Sequence, residues 1–172
     1  MRSFIVITFA MIQILFISAC GYRFSPGGEY IDKSIQTVFV DNFYNRTSEA
    51  NLEVSVRSAF IDQFIKGRRL KLIDRPEAAD AVFKGSVSNL TTEPLSYKST
   101  NIAAEERMTI TMELVLEEQG TQTIIWTNKS YSATQDYLSP DQTTKEANRK
   151  AALTKLSTDS AEKAYRLMMS GF

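Results

Sequence analysis

An alternating run of apolar side chains constrains the fold of this chain more than any other feature. Every second residue is apolar over one stretch, at Met108, Ile110, Met112, Leu114 and Leu116. The residues between them are threonine, glutamate and one valine. Because successive side chains of a strand point to opposite faces, this period of two predicts a strand with one apolar face. The core must then lie mainly on one side of the sheet.

Two flanking stretches complete a predicted meander. Ala81, Phe83 and Val87 share one face before the alternating run, and residues 123–133 return after a turn at residues 118–121. We expect residues 81–133 to form three antiparallel strands. The polar residues 91–103 are interpreted as the loop of the first hairpin.

Helical periodicity appears in two other stretches. In residues 48–66 the apolar positions Leu52, Val56, Phe60 and Phe64 recur on one face, and Gly67 can end the helix. Thr47 or Ser48 is placed to cap its first turn.

The second helix is predicted from its start signal. Ser139 is followed by proline and, three residues after the serine, by glutamine, which is typical of a capped helix N-terminus. We expect this helix to continue to about residue 169.

The order of these elements predicts the fold class. Residues 35–43 and 70–74 indicate short strands on either side of the first helix, before the meander and the last helix. We therefore expect one α+β domain over residues 35–172, a two-layer sandwich of about four to five strands in the order β-α-β-β-β-α. Both helices are expected to pack on one face of the sheet.

The N-terminal region predicts export. Residues 4–17 are apolar except for Thr8 and Gln13, and Arg2 precedes them, so residues 1–19 are interpreted as a signal peptide. The run is short for a membrane-spanning helix, which needs about 20 apolar residues. The sequence ISAC, ending at Cys20, resembles the bacterial lipobox, and this resemblance implies an acylated Cys20 followed by a flexible tether over residues 20–34. An ordinary signal peptide with an incidental cysteine, or an uncleaved anchor, is the alternative.

Composition limits the possible chemistry. The chain has no histidine, so it cannot contain a Ser-His-Asp triad, and its single cysteine cannot form an internal disulfide. Basic and acidic residues number 20 each, which gives no basic excess for a nucleic-acid partner. The best candidate carboxylate pair is Asp41 and Asp74 at strand ends, where aspartate is more typical of loop caps. We predict no catalytic site, no metal site and no cofactor other than covalent lipid on Cys20.

Clustered cations are candidate ligands for an anionic amphiphile. Arg68, Arg69 and Lys71 lie together, whereas Lys98 lies within the predicted polar loop and Arg107 shortly after it. Each could bind phosphate groups, or could be an ordinary solvated charge. The Met108 and Met112 face and Trp126 are interpreted as core, with a lipid groove as the alternative.

Four sequence features, in order, are similar to the LptE-like family of lipopolysaccharide-assembly lipoproteins of Gram-negative outer membranes. They are CGYRF at residues 20–24, IQTVFV leading into NFYNRT at residues 35–47, the first helix, and ADA leading to KGSV at residues 79–87.

The resemblance implies a non-enzymatic role on the periplasmic side of the outer membrane. Such a lipoprotein is a plug and assembly partner of an LptD-like β-barrel, and it contacts lipopolysaccharide. Under this hypothesis the candidate lipopolysaccharide contacts are Arg68, Arg69, Lys71, Lys98 and Arg107. The alternative function is a free-standing envelope lipoprotein that binds a small amphiphile or scaffolds another envelope complex; an enzyme using Asp41 is a third.

Overall fold

The computed structural model describes residues 30–97 and 103–171. The predicted signal peptide, Cys20 and residues 20–29 of the predicted tether lie outside the described residues. The elements, in chain order, are β1 (Thr37–Val40), β2 (Tyr44–Asn45), α1 (Leu52–Gly67), β3 (Lys71–Leu72), a 3₁₀ turn (Pro76–Ala78), β4 (Ala81–Tyr97), β5 (Ala103–Glu118), β6 (Ile124–Leu138) and α2 (Gln142–Ser170).

These strands form one mixed six-stranded sheet. The order across it is β3-β1-β4-β5-β6, with the short β2 also paired to β4. Strand β1 runs parallel to both β3 and β4, whereas β4, β5 and β6 form an antiparallel meander. The predicted α+β class and the predicted meander are confirmed.

The core lies between this sheet and the two helices. The five alternating residues of β5 are fully buried, as their spacing predicts, and they belong to one cluster with Phe60 and Phe64 of α1 and with Leu156 and Ala164 of α2. Met112 and Trp126 are therefore part of the core. Aromatic rings hold α1 against β4, with the Phe60 and Phe83 centroids 4.8 Å apart.

Two glycines allow close packing around these rings. A Cβ on Gly85 would overlap the ring of Phe43, and a Cβ on Gly67 would overlap the phenol of Tyr165. Gly67 is the last residue of α1, but Arg68 adopts the left-handed conformation that ends the helix, with φ 56°. The helix thus ends at the predicted residue, but Arg68 rather than Gly67 supplies the left-handed conformation, and the missing side chain of Gly67 serves packing against α2.

The predicted loop at residues 91–103 is also wrong at residues 91–97 and 103, which belong to strands, whereas residues 98–102 lie outside the described residues. Strand β4 continues to Tyr97 and β5 begins at Ala103, with pairs such as Thr91 with Thr109 and Pro94 with Glu106. Backbone pairing requires no apolar side chains, so this extension of the hairpin lacks the alternation that marks a buried strand. A register shift between Pro94 and Ser96 lies within the extension.

Both predicted helix caps are displaced. Helix α1 begins after Asn51, whose φ of 60° is left-handed and whose side chain caps nothing. Thr47 accepts from the Glu49 amide at 3.2 Å, within the turn before the helix. Helix α2 is capped by Asp141, two residues after the predicted cap Ser139.

The molecule has two distinct ends. One end, here called the base, holds Thr37, Lys71, Ala81 and Glu118, which register places side by side. The opposite end, the tip, holds the β4–β5 hairpin and the end of β6. Helix α2 runs about 43 Å from tip to base, at 1.5 Å per residue.

The described chain both begins and ends at the base. A Cβ on Gly171, just after α2, would overlap the ring of Tyr30. Ile31 is completely buried and belongs to the core. The folded body therefore includes residues that the sequence analysis assigned to the tether.

Candidate functional site

A basic cleft at the base brings together three of the five predicted contact residues. Its volume is about 460 Å³, and its lining residues are Lys33, Gln36, Thr37, Arg68, Arg69 and Lys71. These residues come from the segment before β1, from β1 itself and from the turn between α1 and β3. We call Lys33, Arg68, Arg69 and Lys71 the basal cluster.

Local backbone geometry places Arg68 and Lys71 in this cluster. Arg68 turns the chain out of α1 through its left-handed conformation, and β3 then pairs with β1 so that Lys71 lies beside Thr37. The Lys71 amide donates to the Gln36 carbonyl at 2.8 Å. Strand β3 is at the edge of the sheet, and both cationic side chains are exposed.

Arg69 is part of the scaffold of the cleft. Its guanidinium donates to the Ile35 carbonyl at 3.0 Å and to the Ile31 carbonyl at 3.1 Å. A third bond, of 3.2 Å, reaches the carbonyl of Asp32. The arginine thereby fixes residues 31–35 against the end of α1 and brings Lys33 to the cleft.

Two carboxylates accompany the four cations. Asp80 accepts hydrogen bonds from the Gln36 and Thr37 amides, at 2.9 and 2.8 Å, and from the Thr37 hydroxyl. These bonds lower the pKa of Asp80. Asp32 accepts from the amide and hydroxyl of Ser34, which lowers its pKa as well, and Arg69 adds a smaller effect. Both carboxylates are therefore occupied by neighbouring donors.

Three cations of the basal cluster are available to an external anion. Among the described residues, no carboxylate lies within ion-pair distance of Lys33, Arg68 or Lys71. Their side chains are exposed. The cleft therefore presents unpaired positive charge, suited to phosphate oxygens.

Arg107 lies far from this cleft. It is eleven residues along β5 from Glu118, a separation of about 35 Å in an extended strand. Its guanidinium binds the Asp136 carboxylate through two bonds of 2.7 and 2.8 Å. This pairing lowers the pKa of Asp136. The structure does not bring Arg107 together with the basal cluster.

Two other predicted site residues, Asp41 and Asp74, do not line the basal cleft. Cys20 and Lys98 lie outside the described residues. Asp41 accepts from the amide of Asn42 at 2.7 Å, as a loop cap would, and Asp74 is exposed after β3. Within residues 30–97 and 103–171, no three acidic or thiol groups converge as metal ligands. No helix in this part of the chain combines the length and apolar character needed to span a bilayer.

A buried polar cluster near the tip was missed in the sequence. Glu106 is 6% exposed and accepts hydrogen bonds from Lys145 and from Tyr137. Burial raises the pKa of Glu106, but these donors outweigh burial, so that the pKa is lowered overall. Extending the alternation of β5 back one step from Met108 would have placed Glu106 on the core face.

A second cleft, of about 590 Å³, separates the start of α1 from the first half of α2. Glu49 and Arg149 form a salt bridge across it. This bond raises the pKa of Arg149, with burial opposing it. Glu49 and Arg149 of this cleft are thus paired with each other, unlike the free cations of the basal cleft.

Comparison with known protein families yields a match over most of the chain. The model of the LptE family, described as lipopolysaccharide-assembly, matches residues 35–168. No curated protein matches this sequence.

Several solved structures share the fold at low sequence identity. The rare lipoprotein B of Shewanella oneidensis is 16% identical with a TM-score of 0.52, over 77% of this chain and 95% of that one. The uncharacterized lipoprotein B of Nitrosomonas europaea is 13% identical with a TM-score of 0.55, over 88% and 92%. The PelC dodecamer of Paraburkholderia phytofirmans is 14% identical with a TM-score of 0.52, over 84% and 94%. At these identities the likeness concerns the fold alone.

Proposed function

The chain belongs to the LptE family of lipopolysaccharide-assembly proteins, and on this basis we propose that it is an outer-membrane lipoprotein that plugs an LptD-like β-barrel. In this proposal Cys20 carries the acyl chains, and the domain lies on the periplasmic side of the membrane. The domain acts by contact, helping the barrel to assemble and meeting lipopolysaccharide on its way to the outer leaflet. The family match over residues 35–168 is the observation that carries the proposal.

The open face of the sheet supports placement inside a barrel. On β5 the side chains opposite the core are Thr109, Thr111, Glu113, Val115 and Glu117, all partly exposed. Neighbouring strands add the Lys84–Glu117 and Arg107–Asp136 ion pairs. The interior of a large outer-membrane barrel is polar and charged, so a face of mixed charge suits its wall.

The free cations support contact with a phosphate-bearing lipid. Arg68 and Lys71 are exposed and unpaired among the described residues, so they are the strongest of the candidate contacts. Arg69 and Arg107 already bind backbone carbonyls and Asp136, respectively, and would have to release these partners. Lys98 stays a candidate on its sequence position alone.

Depletion of the chain in its native cell tests the proposed role. We expect lipopolysaccharide to accumulate before it reaches the cell surface, and the barrel subunit to lose its folded form. Undiminished surface lipopolysaccharide after complete depletion would contradict the proposal.

A free-standing lipoprotein scaffold is the second candidate function. The PelC structure, a dodecamer that shares this fold, is the observation that favours it. This alternative predicts a chain without a barrel in detergent extracts of the native membrane, as a monomer or a homo-oligomer, whereas the main proposal requires one copy of the chain with one barrel. The mass of the extracted species separates the two.

A further inference from the structure

The base of the domain is the end nearest to the proposed lipid anchor. Tyr30, the first described residue, lies there against Gly171. Cys20 precedes Tyr30 by ten residues, and an extended chain of that length reaches at most about 35 Å. The tip lies about 50 Å away along β4, a strand of 17 residues. If Cys20 is anchored, as the proposed function requires, the base faces the bilayer surface more readily than the tip does.

The side chains at the base match such a surface. The basal cluster supplies four cations, and Lys66 in the last turn of α1 adds a fifth. Two large apolar side chains at this end are exposed, Tyr30 by 53% and Ile65 by 59%. A combination of aromatic, aliphatic and cationic groups is typical of protein surfaces that meet lipid headgroups.

We propose that the basal cluster binds the anionic headgroups of phospholipids in the leaflet that holds the acyl chains of Cys20. Lys33, Arg68 and Lys71 bind the phosphates, while Arg69 fixes the segment that carries Lys33. Asp32 and Asp80 stay ionised, because their hydrogen bonds lower their pKa values, but two negative charges leave the four cations of the basal cluster in excess. The contact holds the long axis of the domain upright on the membrane. The inference rests on the proposed anchor and adds an orientation to it.

Lysine labelling in defined bilayers tests this contact. The acylated mature protein is placed in nanodiscs of phosphatidylcholine, alone or mixed with phosphatidylglycerol, and amine modification is followed by mass spectrometry. We expect Lys33, Lys66 and Lys71 to react more slowly in the anionic discs. The rate should fall by about fivefold for each lysine that contacts the anionic headgroups, which corresponds to about 1 kcal/mol per cation. Lys129 and Lys150, exposed cations away from the base, should react equally in both discs. High salt should abolish the difference, because the screening length falls to about 3 Å at 1 M.

Matched charge reversals separate this contact from a general charge effect. The double variant Lys33→Glu, Lys71→Glu should remove the dependence of Lys66 labelling on phosphatidylglycerol. The control Lys129→Glu, Lys150→Glu changes the net charge by the same amount. In this control, Lys66 labelling should still depend on phosphatidylglycerol. Arg68 and Arg69 are kept in both variants because they shape the turn after α1.

Each outcome bears on a different part of the proposal. Equal labelling in both discs, with the protein still bound to them, would overturn the headgroup contact and leave the anchor intact. A third set of discs contains phosphatidylcholine with lipopolysaccharide. Protection of the lysines in this set alone would overturn the phospholipid contact and assign these cations to lipopolysaccharide, as the proposed function does. Protein that does not stay with the discs would overturn both the anchor and this inference.

Discussion

Lys145 Nζ lies 2.7 Å from Glu106 Oε1 and joins the first turn of α2 to strand β5, the central strand of the antiparallel meander. Tyr137 donates to the other carboxylate oxygen from the neighbouring strand β6. Burial and the nearby carboxylate raise the pKa of Tyr137, so the phenol keeps its proton over the whole physiological range. The cluster fixes the register between α2 and the tip of the sheet.

Acid should weaken this cluster. The donors to Glu106 lower its pKa in the folded state below the ordinary glutamate value of 4.5. The stabilisation is therefore present above about pH 4.5 and is lost as the pH falls through the lower folded-state pKa. Glu106→Gln should cost about 1–2 kcal/mol at neutral pH, and its free energy of unfolding should fall less steeply in acid than that of the wild type.

Urea unfolding at a series of pH values measures the effect. Asp32, Asp80 and Asp136 also have lowered pKa values and stay in both proteins, so the difference between the two curves isolates Glu106. Glu113→Gln, on the same strand but the opposite face, is the control and should follow the wild type. Parallel curves for Glu106→Gln and the wild type would show that this carboxylate does not couple stability to pH.

The cap of α2 gives a second test. Asp141 accepts hydrogen bonds from the amide and hydroxyl of Thr144, both at 2.9 Å. Asp141→Ala should lower the free energy of unfolding by about 1 kcal/mol. The matched variant Asp141→Ser should recover most of the loss, because serine can also accept from the helix N-terminus. An unchanged free energy of unfolding for Asp141→Ala would show that another residue caps α2.

Packing at Gly85 predicts a coupled pair of mutations. Gly85→Ala would drive its Cβ into the ring of Phe43, so it should destabilise the protein by about 1–3 kcal/mol. Phe43→Leu combined with Gly85→Ala should be less destabilising than the sum of the two single changes. Additive losses in thermal or urea unfolding would contradict the proposed overlap.

If Cys20 carries the anchor, its removal should change membrane binding and leave the fold unchanged. On lipid vesicles that lack the barrel, the mature Cys20→Ala domain should not stay bound, because acylation requires the thiol. The circular dichroism and unfolding midpoint should stay unchanged, since Ile31, the first core residue in the described part of the chain, lies eleven residues after Cys20. Retention of Cys20→Ala on barrel-free vesicles washed in high salt would contradict the anchor.

The elements that the sequence predicted best are those with a regularly repeated buried face. The five alternating residues of β5 and the periodic face of α1 are buried where their spacing requires. In both elements the apolar residues lie on the buried face and the polar residues on the exposed face, so the spacing of apolar residues is sufficient to predict the element.

The sequence predicted poorly those features that depend on contacts between residues far apart in the chain. The hairpin extension is held by backbone pairing with both faces largely exposed, which leaves no periodic signal at residues 91–97. Ser139 and Asp141 both fit local capping rules, but Ser139 is buried beside Glu106, 33 residues away in sequence. The basal cluster likewise depends on Arg69, whose partners at Ile31 and Ile35 lie before α1.

Extraction of the native complex tests the central claim most directly. The chain is purified from detergent-solubilised outer membranes through a C-terminal tag, and the mass of the intact species is measured. We predict one copy of the chain, acylated at Cys20, bound to one large β-barrel subunit. Recovery of the chain without such a barrel, as a monomer or as a homo-oligomer, would contradict the proposed function.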